Sequence, residues 1–142
     1  MSGQGSLFNY CGQIACNVDA AVKAAMRQAS KDSHHSRDQI CDRMNEIAEA
    51  AGFRLGGGNS KALSLAMLEK WLNPAEREHT PPLRALIVFC RALGTVEPLR
   101  AMAIPLGAHI IDKRQALLLK RAEVDEEIRT LQRLKKRIEG DL

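Results

Sequence analysis

Four cysteines, four histidines and one run of three glycines are the residues whose chemistry is specific enough to test first. Cys11 and Cys16 precede the adjacent pair His34 and His35. Zinc sites space their histidines by three to five residues, so two neighbouring histidines fit poorly. An exposed polar turn and two ordinary thiols explain them better. Cys41 and Cys90 fall at apolar positions of helical patterns, where a free thiol behaves as a small hydrophobe. Gly56, Gly57 and Gly58 lack the Lys-Ser/Thr pair of a phosphate loop, and they follow a helical pattern where a dinucleotide fingerprint needs a strand. No Ser-His-Asp set or carboxylate pair is suggested by local spacing. The chain therefore reads as a binding protein and not an enzyme, with no cofactor and no metal expected.

Binding chemistry is better represented. From Ser64 to Asn73 the residues Leu65, Met67, Leu68, Trp71 and Leu72 recur at helical spacing, and Asn73-Pro74 ends the run. Burying Leu68, Trp71 and Leu72 turns Ser64 and Lys70 outward or to the side, with Asn59, Ser60 and Lys61 entering from the preceding loop. Ser, Asn and Lys are competent for phosphate or base-edge contacts. Upstream, Ser36 with Gln39 forms a capping box that starts a helix with the apolar face Ile40, Cys41, Met44, Ile47, Ala48 and Ala51, and Gly52 stops it. A bracing helix followed by a helix whose first turn meets the major groove is the order of a helix-turn-helix unit. The connection of about a dozen residues is longer than the three or four of a tight one. Arg37, Arg43, Arg54 and Lys61 are the expected phosphate contacts. Asn59, Ser60, Ser64 and Lys70 are the candidates for base contacts.

These elements need a scaffold, and composition says which kind. The 142 residues are 45% hydrophobic but only 4% aromatic, and strand formers are thin beside abundant helix formers. An all-α fold follows, with room for one core and an appendage. Residues 1–16 read as a loosely held arm and residues 17–107 as five helices. The first of these starts at Asn17 and uses Val18, Ala21, Val22, Ala25, Met26 and Ala29. A fourth is capped by Thr80, with Leu83, Leu86, Ile87 and Cys90 inward and Gly94 as terminator. A fifth is capped by Thr95 and ends near Gly107.

Residues 108–142 differ: long charged runs surround the narrow apolar stripe Leu117, Val124, Ile128, Leu131, Leu134 and Ile138, interrupted by Arg121 and Lys135. Such a stripe suits a partner helix better than a broad core, and homo-oligomerisation as a dimer or tetramer is expected.

The run Ser64-Leu65-Ala66-Met67-Leu68-Glu69-Lys70-Trp71-Leu72-Asn73-Pro74, with His79 and a Pro-started, Leu-rich helix after it, resembles the phage regulatory protein CII group and related lambda-repressor-like helix-turn-helix proteins. Ser36-Arg37-Asp38-Gln39-Ile40 with Met44 is similar to the bracing helix of phage and transposon regulators. The resemblance spans Ser36 to Leu106. It implies a transcription regulator of phage or mobile-element origin that binds operator DNA as an oligomer. The formal charge of +4 permits such a polyanionic partner. Two other readings fit the same architecture: a small terminase subunit for DNA packaging, and a helical protein-interaction adaptor that never touches DNA. No apolar run is long enough for a membrane span and no signal sequence is evident, so double-stranded DNA in a bacterial cytoplasm is the expected setting.

Overall fold

The computed structural model describes residues 3–56 and 62–142, with side-chain positions from residue 17 onward. It is all-α: α1 Gly3–Asp32, α2 Arg37–Ala50, α3 Leu65–Trp71, α4 Leu83–Leu93, α5 Glu97–Ala103, a 3-10 turn Ile104–Leu106, and α6 Lys113–Asp141. No strand occurs among the described residues. The chain divides into two units, Met1–His109 and Ile110–Leu142.

The expected arm is corrected by α1, which is helical from Gly3 and carries Asn17 in its interior instead of at a cap. The spacing of Leu7, Cys11, Ile14 and Val18 continues the helical period, and extending an existing helix adds a hydrogen bond per residue without a new nucleation cost. Gly3, Gly5 and Gly12 each oppose this by only about 1 kcal/mol.

In the first unit α1 packs along α5, and α2 packs on both α3 and α4. The core joins Val22 and Met26 of α1, Ile40, Met44 and Ala48 of α2, Leu68 and Trp71 of α3, and Ala85, Leu86, Val88 and Phe89 of α4. Trp71 is thus a core residue, as its neighbours at three and four positions predict.

The start and stop of α2 follow the expected chemistry. The Ser36 hydroxyl accepts the Gln39 amide N–H and the Gln39 side chain accepts that of Ser36. At its other end Gly52 takes φ +82°, Phe53 N–H donates to Ala48 and Gly52 N–H to Glu49, the paired bonds of a Schellman stop. Gly94 likewise terminates α4 with φ +64°.

Two details of α4 and α5 depart from expectation. Pro82, not Thr80, precedes α4, and no side chain caps it. Val96 is the residue before α5, while the Thr95 hydroxyl still accepts the Glu97 N–H at 3.2 Å. The inward face of α4 is also rotated. Leu83 is 72% exposed and Ile87 55% exposed, whereas Ala85, Val88, Phe89 and Ala92 are buried with Leu86 and Cys90. Apolar residues surround this helix, so periodicity alone cannot select a face. Arg84 and Arg91, seven residues apart with Ile87 between them, mark the outward stripe.

Candidate nucleic-acid interface

Ser64 is the N-cap of α3, its hydroxyl accepting the Met67 N–H at 3.2 Å. The chain reaches that cap through Leu63, which is buried and whose two backbone groups both meet Asn45. Asn45 accepts the Leu63 N–H at 2.8 Å and donates to the Leu63 carbonyl at 3.0 Å. A carboxamide offers one acceptor and two donors, so one asparagine satisfies both backbone groups of a residue that has no helix or strand partner. The Cys41 thiol also donates to that carbonyl at 3.1 Å. Burial, aided by the charges of Asp42 and Asp38, pushes the Cys41 thiol above its ordinary range, and burial does the same for Cys90. Both are inert core thiols.

The far end of α3 is fixed by a buried cation that sequence reasoning missed. Lys23 of α1 is 1% exposed. Its ammonium donates to the Lys70 carbonyl at 3.2 Å, to the Glu76 carbonyl and to the Glu76 carboxylate at 3.1 Å. All three N–H groups therefore have acceptors. Glu76 also accepts from the backbone N–H of Glu78 and His79 and meets His79 Nδ1 at 3.0 Å. Its carboxyl is lowered to about 2, by the His79 side chain first and then by the Glu78 amide, Lys23 and the His79 amide, against an opposing effect of burial. Ligand-type atoms of Glu76, Glu78 and His79 lie within 4.8 Å of one another. The Glu76 oxygens are already engaged by Lys23, His79 and two amides, so the cluster is explained as the counter-charge of Lys23.

The described members of the predicted contact set, Arg37, Arg43, Arg54, Ser64 and Lys70, do not line one common hollow. Arg37 and Lys70 line a common hollow of about 400 Å³ with Arg27, Leu72, Asn73, Glu69 and Glu76. Arg37 is ion-paired to Glu69. Arg43 instead donates Nε to the Ala92 carbonyl at 3.2 Å, where its charge faces the negative end of α4. Arg54 is exposed and borders a different hollow with Asn45 and Glu49. Asn59, Ser60 and Lys61 lie outside the described residues. Arg27, exposed on α1, joins Lys70 and was not anticipated.

A second surface is apolar. Ile47, Ala50, Phe53, Leu83, Ile87 and Val88 line a groove of about 670 Å³ between α2 and α4, with Arg84 and Arg91 beside it. The Arg84 guanidinium lies 5.5 Å from the centre of the Phe53 ring, a cation–π distance.

Comparison with protein-family models, curated proteins and solved structures finds no match.

No helix among the described residues is long and apolar enough to cross a membrane. In the second unit, α6 is opened by Asp112 and Gln115 in a capping box and buries none of its residues. The predicted stripe Leu117, Val124, Ile128, Leu131, Leu134 and Ile138 is exposed along its whole length.

Proposed function

We propose that the chain is a sequence-specific DNA-binding regulator of lambda-repressor-like helix-turn-helix type, of phage or mobile-element origin, acting as an oligomer joined through α6. The observation that carries the reading is the hollow at the end of α3, where Arg27, Arg37, Lys70 and Asn73 converge. Arg27, Lys70 and a carboxamide around one concavity suit a phosphodiester backbone, with Arg37 held by Glu69 beside them. The two carboxylates there are engaged, Glu69 by Arg37 and Glu76 by Lys23 and His79. In this role α2 braces the unit, α3 presents its exposed side, and Ser64 and Lys70 flank that side at its two ends. Occupancy of an operator is the mechanism, and no bond is made or broken.

The test is binding of duplex DNA at several salt concentrations. Each phosphate contact adds roughly 0.9 to the slope of log affinity against log salt. Arg27→Ala with Lys70→Ala is expected to lower that slope by about 2 and to weaken all sequences alike. Binding that is absent at low salt, or a slope unchanged in the double variant, rejects the reading.

The groove between α2 and α4 favours a second reading, a helical protein-interaction module. Leu83 and Ile87 are 72% and 55% exposed and join Ile47, Phe53 and Val88 in one contiguous apolar lining, the kind of surface that marks an interaction site. Retention of DNA binding by Leu83→Glu with Ile87→Glu separates the two, because the groove lies away from the cationic hollow in the residues that line it.

A further inference from the structure

We infer that α6 pairs with α6 of a second copy of this chain in the antiparallel direction. The inference rests on the self-association part of the proposed function and adds its geometry. The seam defined by the stripe at spacings of three and four runs Leu117, Arg121, Val124, Ile128, Leu131, Lys135, Ile138 and Leu142. Every one of these side chains is exposed on α6.

Direction is decided by charge. Of the charged residues of α6, Arg121 and Lys135 fall in the seam and Lys120, Asp125, Glu127, Glu139 and Asp141 flank it. Parallel pairing stacks Arg121 on Arg121 and Lys135 on Lys135 in the seam. Like charges placed so oppose association. Antiparallel pairing with Ile128 opposite Leu131 of the second copy sets Arg121 against Ile138, Val124 against Lys135 and Leu117 against Leu142. The seam cations then face apolar partners. Asp125 and Glu127 of one copy come beside Lys135 of the other, while Lys120 and Arg121 come beside Glu139 and Asp141. Each contact occurs twice by the two-fold axis. Within one helix these charges are only weakly used: Arg129 and Arg133 lie 3.6 and 3.8 Å from Glu126, and Lys135 lies 3.9 Å from Glu139, all highly exposed.

Two measurements on the full chain test this without DNA. Dyes attached at position 116, on the side of α6 away from the seam, are expected about 40 Å apart in the antiparallel pair, from 1.5 Å per residue. A parallel pair brings them to about 20 Å, one helix spacing plus the outward radius of both helices. By sedimentation, Lys135→Glu is expected to raise the dimer dissociation constant about tenfold, because it places a carboxylate beside Asp125 and Glu127 of the other copy. Adding Asp125→Lys and Glu127→Lys to it is expected to restore association. A parallel pair predicts no effect of Lys135→Glu, which only exchanges one like-charge stack for another, and no rescue. A short inter-dye distance, an unaffected Lys135→Glu variant, or a wild-type chain that sediments as a monomer overturns the inference. Loss of DNA binding by a chain that still pairs antiparallel overturns the DNA reading alone.

Discussion

The two units of this chain carry similar apolar residues to opposite ends. In the first, Met26, Ile40, Met44, Leu68 and Phe89 are fully buried. In the second, Leu117, Val124, Ile128, Leu131 and Ile138 are about half exposed, and α6 buries nothing. The difference lies in the width of the apolar face. The first unit's helices present broad faces that several neighbours can cover, so one chain closes its own core. A stripe only as wide as a seam can be covered by one helix at a time, and folding alone leaves it exposed. Stripe width, and not hydrophobicity, thus separates the residues that the first unit buries from those that, in the proposed pairing, a second copy covers.

Changes in the first unit's core are expected to have the largest effects. Trp71→Ala removes the largest apolar side chain of α3 from contact with the core and is expected to cost about 3–5 kcal/mol. For a domain near 100 residues that lowers the melting temperature by more than about 10 °C. Thermal denaturation followed by helix circular dichroism measures it. A near-native melt would mean that α3 is held by its caps and not by its buried face.

Lys23→Met is expected to follow closely. Removing the ammonium is expected to destabilise the first unit, because the Lys70 and Glu76 carbonyls and the Glu76 carboxylate lose a shared donor while the apolar part of the side chain is kept. The same melt, compared with that of Lys31→Met on the exposed end of α1, isolates the effect. Equal behaviour of the two lysines would remove Lys23 from the list of residues that tie α1 to α3.

Lys23 also marks where sequence reasoning ended. The capping box at Ser36, the stop at Gly52 and the cap at Ser64 were legible because each depends on residues within four positions of one another. Burial of Trp71 was legible because its neighbours on the helix were apolar. A lysine in an apolar helical stripe reads as solvated, and only the distant Glu76, 53 residues away, reverses that. Asn45 on Leu63 and Arg43 on Ala92 are the same case, with local signals for a surface residue and partners 18 and 49 residues off. The cationic hollow was half legible. Arg37 and Lys70 were named, but Arg27 joins them only because α1 crosses the end of α3.

Acid is expected to weaken the first unit through Glu76. Its carboxyl sits at about 2 in the folded chain, below an ordinary value of 4.5. A depressed carboxylate contributes stability that is fully present above its unfolded value and lost as pH falls toward its folded one. The loss therefore falls between roughly pH 4.5 and pH 2. Glu76→Gln is expected to be less stable at neutral pH and to show a shallower decline across that window. Urea midpoints measured at intervals of pH decide it, and parallel curves for the two proteins would mean that another carboxylate carries the acid response.

Truncation after Ile111 is expected to change the first unit's melt least of all. The removed residues contribute no buried side chain, and surface changes away from a core stay within about 0.5 kcal/mol. The same truncation removes the whole seam, so sedimentation is expected to shift from an oligomer to a helical monomer. Affinity for a two-site DNA target is expected to fall strongly, while binding to a half-site is nearly unchanged, because linked modules gain from effective concentration and single ones do not. The comparison between the units turns on this pair of results. A truncated chain that aggregates or loses its cooperative melt would show that the stripe covers its own domain, and width would then no longer distinguish a core face from a partner face.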